Sequence, residues 1–262
     1  MALGAARSCA GAGDVFNARR VRHWLTECGR AVEALVFPWE CAECGEPAEG
    51  APFCADCRRK LLDARGLVCD RCALPVGPFA DRTGGCARCR GDALGFDQAI
   101  ALGPYEGPVR NLCLRLKHER NAWLAPWVVD LLIEAHDTLR RQPADACVTA
   151  VPLHWQRYWR RGYNQADALA AALARRLALR GVRPLRRVVA TPALAPIGRT
   201  ERARIMRDAF RPRRSAEAAL KGRTVLLVDD ILTTGATSGA AARALKRAGA
   251  ARVIAVVVGR AE

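Results

Sequence analysis

Lysine is nearly missing from this chain of 262 residues. Only Lys60, Lys117, Lys221 and Lys246 contribute to a basic total of 42, and the other 38 residues are arginine. Against 26 acids the formal charge is +16. Arginine in place of lysine, beside abundant alanine and glycine, has two readings that both stand: GC-rich coding, or a surface that meets phosphates. Whatever its origin, the charge attracts polyanions such as nucleic-acid backbones. Long apolar runs are missing too. No stretch reaches the roughly 18 residues that span a bilayer, which argues against a transmembrane helix. Residues 1–20 hold no uninterrupted apolar core of the kind a secretory signal needs. A cytoplasmic address is therefore expected. Aromatic residues are few, yet half the chain is hydrophobic. That balance excludes a disordered chain and suits one core of ordinary size with a small accessory unit.

Large apolar side chains are scarce across residues 41–90, too scarce for a core of their own. The stretch is rich in cysteine instead. Cys41/Cys44, Cys54/Cys57, Cys69/Cys72 and Cys86/Cys89 form four Cys-x-x-Cys pairs and use eight of the twelve cysteines. Two thiolates three positions apart meet at one point when the backbone between them turns as a knuckle, and two knuckles make a tetrahedral zinc site. Gly45 after the first pair and Gly84-Gly85 before the last suit such turns. Structural Zn2+ would supply the missing folding free energy, roughly 10–16 kcal/mol per site. Disulfides conflict with a cytoplasmic address, and redox chemistry with four copies outside a thioredoxin-like context. An iron–sulfur cluster is the alternative metal group. Sequential pairing of the knuckles gives two ribbons, and a crossed pairing satisfies the same spacing. Ribbons of this kind serve as scaffolds or as nucleic-acid contacts. Cys9, Cys28, Cys113 and Cys147 stand alone and read as ordinary thiols.

Residues 1–17 read as a flexible N-terminus. Residues 18–40 read as an amphipathic helix with Val21, Trp24, Leu25, Val32 and Leu35 on one side, ended by Phe37-Pro38. A double zinc ribbon takes residues 41–95. Beyond it, strands alternate with helices. We expect a strand over 97–102, a helix ending near Lys117, and a helix over 127–140 with Val128, Leu131, Leu132, Ala135 and Leu139 inward. A strand over 146–151 follows, then a long helix with Leu169, Leu173 and Leu177, and an Arg-rich loop over 183–210. A strand over 225–228, a helix over 238–248 and a strand over 252–258 complete the pattern. It predicts an α/β unit over 96–262, a parallel sheet with flanking helices and ligands at the carboxyl ends of its strands.

The densest chemistry lies in residues 225–237, VLLVDDILTTGAT. Val225 to Val228 suits a strand buried on both faces, and Asp229 and Asp230 follow where that strand is expected to leave the sheet. Thr233, Thr234, Gly235, Ala236 and Thr237 then precede a helix, so that backbone N–H groups and hydroxyls can converge on one phosphate at a helix N-terminus. Carboxylates beside a phosphate cradle suit a ribose 5-phosphate. A second loop, after Val151, carries Pro152, Leu153, Arg157, Arg160 and Arg161 before Gly162-Tyr163-Asn164-Gln165 opens the long helix. Pro152 can hold a rigid turn, cis included.

Residues 225–237 resemble the phosphoribosyl-pyrophosphate (PRPP) motif of type I phosphoribosyltransferases. The order of the paired cysteines, YEG…LRLKH (105–118), AVPLHWQRYWRRGYNQA (150–166) and VLLVDDILTTGAT is similar to the ComF family over about residues 30–260. The resemblance implies a type I phosphoribosyltransferase-like fold with a small N-terminal zinc ribbon unit. It implies Asp229 and Asp230 on the ribose 2- and 3-hydroxyls, with Thr233 to Thr237 around the 5-phosphate. Lys117, Pro152, Leu153, Arg157 and Arg161 would handle pyrophosphate, with Mg2+ arriving on PRPP. The implied function is phosphoribosyl transfer to a nitrogen acceptor, in a family associated with natural competence. The alternative is a non-catalytic PRPP- or nucleotide-responsive module that meets single-stranded DNA or the DNA-uptake and helicase machinery. One departure stands out. The family pattern T-x-x-Q followed by R-x-x-N-V-x-x-A-F here reads Thr191, Leu194, Arg202, Ile205, Met206, Ala209 and Phe210. Leu194 and Ile205 cannot hydrogen-bond a base or a nucleophile, so the departure bears on the acceptor more than on PRPP.

Overall fold

The computed structural model describes residues 40–48, 50–82, 84–189, 206 and 208–261. The expected N-terminal segment and residues 18–39 of the expected helix lie outside them, as do Cys9, Cys28, Thr191, Leu194, Arg202 and Ile205.

Five strands form one sheet in the order β1-β7-β6-β2-β3, every neighbouring pair parallel. They are β1 (Gln98–Pro104), β2 (Cys147–Ala150), β3 (Arg180–Gly181), β6 (Thr224–Leu232) and β7 (Arg252–Arg260). Successive side chains of a strand point to opposite faces, and both faces here are apolar. Ile100, Leu102, Leu226, Val228, Ile254 and Val256 join one cluster. Ala99, Ala101, Val225, Leu227, Val253 and Ala255 join the other. This is why the strands read as continuous hydrophobic runs. The first face is covered by α2 (Gly107–Arg115), α3 (Ala125–Ala135) and α6 (Gln165–Arg176). The second is covered by α7 (Ala216–Leu220) and by α8 (Ala236–Arg247), whose small residues Ala240, Ala241, Ala242 and Ala244 are fully buried.

Chain order places the crevice. From β2 the chain crosses α6 on the first face and moves outward to β3. From β6 it crosses α8 on the second face and moves the other way, to β7. Adjacent strands whose crossovers diverge to opposite faces leave a gap at their carboxyl ends, where open α/β sheets bind ligands. The gap lies between β2 and β6.

Four expectations need correction. The helix expected over 127–140 breaks at His136, whose extended backbone (φ −139°, ψ 94°) separates α3 from a single turn, α4 (Asp137–Arg140). The buried His136 ring donates from Nε2 to the Ala101 carbonyl at 2.9 Å, a bond to β1 that a continuous helix would not aim. The Arg-rich stretch from 183 is not all loop. β4 (Leu185–Arg187) pairs antiparallel with β5 (Phe210–Pro212), because Leu185, Met206, Ala209 and Phe210 are buried against the second face and pin it down. Third, β6 does not end before its acids. It pairs with β2 only as far as Val228 but with β7 as far as Leu232, so Asp229 and Asp230 remain in the strand, past the end of β2. Leu177 caps α6 and does not continue it.

The cysteine-rich segment packs on this core. Its helix α1 (Ala55–Asp63) buries Leu61, and Phe53 joins the same cluster as α2 and α3. Arg58 pairs with Glu134 of α3, and Asn111 Nδ2 of α2 donates to Glu43 at 2.7 Å. The first ribbon is thereby part of the main core and not a separate bead.

Candidate active site and metal centres

The cysteines gather in two sets of four, Cys41/Cys44/Cys54/Cys57 and Cys69/Cys72/Cys86/Cys89, with all sulfurs of a set within 4.8 Å of one another. Pairing is sequential; the crossed arrangement does not occur. Sulfur–sulfur distances are 3.8 Å for Cys44–Cys54, 3.8 Å for Cys69–Cys89 and 3.7 Å for Cys72–Cys86. A tetrahedral zinc bound to sulfur at about 2.3 Å sets its ligands about 3.8 Å apart, so both sets fit Zn2+. A disulfide needs about 2.05 Å, and all eight are free thiols. The two sites repeat one another: Cys41, Cys44, Gly45 and Pro47 recur as Cys69, Cys72, Ala73 and Pro75. Gly45 and Ala73 share a positive φ, and their N–H groups donate to the carbonyls of Cys41 and Cys69. In each set, N–H groups converge on one sulfur. Burial raises Cys41, but the N–H groups of Cys44, Cys54 and Glu43 outweigh it and bring the thiol down to about 6. Burial likewise opposes, and Cys72, Arg71 and Cys86 outweigh, to bring Cys69 to about 7. A ready thiolate in each cluster is what zinc recruits.

At the carboxyl end of β6, Asp229 Oδ1 accepts from the Asp230 N–H at 2.9 Å, and Asp230 Oδ1 from the Ile231 N–H at 2.9 Å. Burial, then the neighbouring negative charge of Asp230, pushes the Asp229 carboxyl well above the ordinary range. Asp230 Oδ2 accepts from Gln165 Nε2 at 2.8 Å across the crevice. Gln165 is placed by the start of α6. Asn164 Oδ1 caps the helix by accepting from the Ala166 N–H at 3.2 Å, and its Nδ2 donates to Val151, just beyond β2, at 3.4 Å. Two buried polar atoms near this point, Gln165 Oε1 and the Tyr163 hydroxyl, have no hydrogen-bond partner among the described residues. Burial, then Glu119, Asp167 and Asp230, pushes the Tyr163 hydroxyl up to about 12, so it remains a donor at any physiological pH. Unpartnered buried polar atoms are rare in native proteins and mark places where a ligand or water completes the bonding. Neither residue stood among the candidates from sequence. The GYNQ run at a helix start was the available signal.

The loop from Thr233 leads into α8 two residues earlier than the helix expected from 238, so that Ala236 and Thr237 form its first turn. Gly235 takes φ +77° at the N-cap, a left-handed backbone that glycine adopts without strain. Thr234 Oγ1 accepts from the Ala236 N–H at 3.4 Å. Thr233, Thr234 and Gly235 line a cavity of about 110 Å³, shared with Cys72, Cys89 and Arg88 of the second ribbon. Pro152 and Leu153 line a different cavity of about 320 Å³, at the mouth of β2, opposite Arg183, Arg186, Arg187 and Arg213. The peptide bond before Pro152 is trans. Lys117 lines a third, open depression of about 720 Å³ with His118, Glu119 and Arg120. The structure thus joins the two acids to α6, but it does not gather Lys117, Pro152 and the threonine loop into one cavity. The side chains of Arg157, Arg160 and Arg161 lie outside the described part.

Comparison with known proteins agrees with this arrangement. Residues 32–90 match the double zinc ribbon domain and residues 160–261 the phosphoribosyl transferase domain. The DNA utilization protein YhgH of Salmonella typhi is 31% identical over 226 residues, covering 84% of this chain and 96% of the relative. Its Escherichia coli K12 counterpart is 32% identical with the same coverage. Competence protein F of Haemophilus influenzae is 28% identical over 210 residues, 75% of this chain and 91% of the relative. Two four-cysteine knuckle sites built onto a parallel sheet with an acidic pair and a threonine–glycine loop at one strand end, and similarity to these relatives over most of their length, establish that the chain belongs to the ComF family.

Proposed function

We propose that the chain binds PRPP in the crevice between β2 and β6 and transfers its phosphoribosyl group to a nitrogen acceptor. The observation that carries this is the joint placement of Asp229, Asp230 and the Thr233–Thr237 loop at one strand end, with Gln165 reaching across to Asp230. Asp229 and Asp230 would hold the ribose 2- and 3-hydroxyls, and the five-residue loop the 5-phosphate at the N-terminus of α8. Pro152, Leu153, Arg157, Arg161 and Lys117 are proposed for pyrophosphate. Carboxylate and phosphate oxygens are the donors Mg2+ takes, and the cation would neutralise pyrophosphate charge when bound. In the transfer, the acceptor nitrogen forms a bond to C1 while the C1–oxygen bond breaks. Pyrophosphate leaves with the electron pair, and the proton lost by nitrogen passes to solvent. The chain's part is positioning and electrostatics. A cytoplasmic location, with its reduced thiols, belongs to the same reading.

Calorimetry with PRPP and Mg2+ on the wild type and on Asp229→Ala/Asp230→Ala tests it. Binding by the first and not the second is expected; no binding by the wild type would falsify the proposal. Pyrophosphate release against a panel of bases, amines and nucleic acids then tests transfer. Binding without release for any acceptor favours the non-catalytic, ligand-responsive module.

A specific feature supports that second reading and a DNA partner. Trp155, Tyr158 and Trp159 of α5 (Trp155–Arg161) are 61%, 48% and 83% exposed, and they face the arginine-lined groove of about 320 Å³. Aromatic faces beside a basic track are how proteins take single-stranded nucleic acid without sequence preference. The relatives' names, DNA utilization and competence, point the same way. The slope of affinity for an oligonucleotide against salt, in the wild type and in Trp155→Ala/Trp159→Ala, measures it. A flat slope would remove the polyanion partner.

A further inference from the structure

Arg260, at the end of β7, is 8% exposed and has no carboxylate partner among the described residues. Its guanidinium is spent on backbone carbonyls of two distant segments. Nε donates to Cys72 of the second ribbon at 2.8 Å, and Nη1 donates to Leu232 at 2.8 Å, to Thr233 and to the adjacent Ala261. The Ala261 N–H supports the same Leu232 carbonyl at 2.9 Å. A trans peptide points its C=O and its N–H in opposite directions. Drawing the carbonyls of Leu232 and Thr233 toward Arg260 therefore turns the N–H groups of Thr233 and Thr234 away from it, outward from the loop. A buried cation that has no carboxylate beside it, and only carbonyls and the neighbouring Cys72 and Cys86 sulfurs around it, is poorly compensated. A phosphate on the far side of the loop would supply the opposite charge, and a four-thiolate metal centre at Cys72, itself net anionic, would supply it from the near side.

The ribbon and the loop touch elsewhere as well. Leu94 and Phe96, which lead out of the ribbon, line the same cavity as Thr233 to Gly235 and Arg260. Arg71, between Cys69 and Cys72, donates to the carbonyls of Cys89 and Asp92, and its own carbonyl accepts from the Ala99 N–H of β1 at 3.0 Å. The segment carrying Cys72 is thus tied both to the sheet and to its partner knuckle.

We propose that Arg260 couples the second ribbon to the Thr233–Thr237 loop, so that the loop holds its binding shape only while residues 69–89 are folded around their metal. As phosphate binding, the effect rests on the reading of that loop given above; the coupling of ribbon to loop does not. Arg260 acts here as a positioning residue, since its bonds go to backbone and not to ligand.

The test uses the full chain as Arg260→Gln and Arg260→Lys, with zinc content measured on each. Amide exchange in residues 232–238 of folded, zinc-loaded Arg260→Gln is expected to accelerate tenfold or more, and the Lys variant, which keeps charge but not the fork, to fall between. Ribose 5-phosphate affinity should drop about tenfold in Arg260→Gln. In the wild type, a chelator that brings residues 69–89 to full exchange should accelerate the loop equally. An unchanged loop in either arm overturns the coupling. Failure of the wild type to bind ribose 5-phosphate, with the exchange result as expected, removes the phosphate reading and leaves the coupling intact.

Discussion

Asp230 has both carboxylate oxygens engaged, one by the Ile231 N–H and one by Gln165. An acid fixed from two sides would meet the proposed ribose hydroxyls without first losing side-chain freedom, which favours binding. Replacing Gln165 with Leu removes a hydrogen bond to a charged group, worth about 1.5–3 kcal/mol. PRPP affinity in Gln165→Leu is expected to fall at least tenfold by calorimetry, with zinc content unchanged; equal affinity would show that Asp230 needs no help. His136 makes a pH prediction at the same scale. Burial first, then Arg65, lowers its pKa to about 4 despite the Ala101 carbonyl, from an ordinary 6.5. The imidazole is therefore neutral in the fold and protonates first in the unfolded chain, so stability present above about pH 6.5 is lost as pH falls toward 4. Between pH 7.5 and 5 the wild type should lose about 2 kcal/mol more than His136→Gln in urea unfolding. Parallel losses would mean that this ring contributes nothing to the acid limb.

At the scale of elements, the contact between the ribbon exit and α8 depends on two glycines. A Cβ on Gly95 would stand 2.4 Å from the Gly239 carbonyl oxygen, and one on Gly239 would stand 2.2 Å from that of Leu94. Both obstacles are backbone, so neither can swing aside. Gly95 also takes φ +88°, a conformation that costs alanine further. Gly95→Ala should destabilise by about 2 kcal/mol or more in urea unfolding, and should loosen the first turn of α8, read as weaker ribose 5-phosphate binding. Gly84→Ala, whose Cβ would meet only the flexible Asp81 side chain, serves as the comparison and should cost much less.

For the whole molecule, metal is expected to act beyond the ribbons. Cys41, Phe53, Cys57 and Leu61 share a cluster with β1, α2 and α3, whereas Cys69, Cys72, Cys86 and Cys89 form a small cluster of their own. Elemental analysis should find two zinc ions per chain. Full chelation should lower the single melting transition of the entire chain, because loss of the first ribbon uncovers part of the central core. Two separate transitions, with the sheet melting as before, would show the ribbons to be independent. Iron with visible absorbance would reassign the metal.

Much of this was legible in the chain because it depends on neighbours in sequence. Cys-x-x-Cys spacing dictates knuckles, an apolar run before a threonine–glycine turn dictates a buried strand that leads into a helix, and alternating elements dictate a parallel sheet. These follow from backbone geometry over a few residues. What the sequence could not decide depends on which surfaces bury each other. Knuckle pairing, the break at His136, the hairpin hidden in an arginine-rich stretch, and the bonds of Gln165 to Asp230 and of Arg260 to Cys72, 188 positions away, all follow from tertiary packing. A spacing rule describes only how the chain turns locally; a long-range bond is set when the core brings its two ends together.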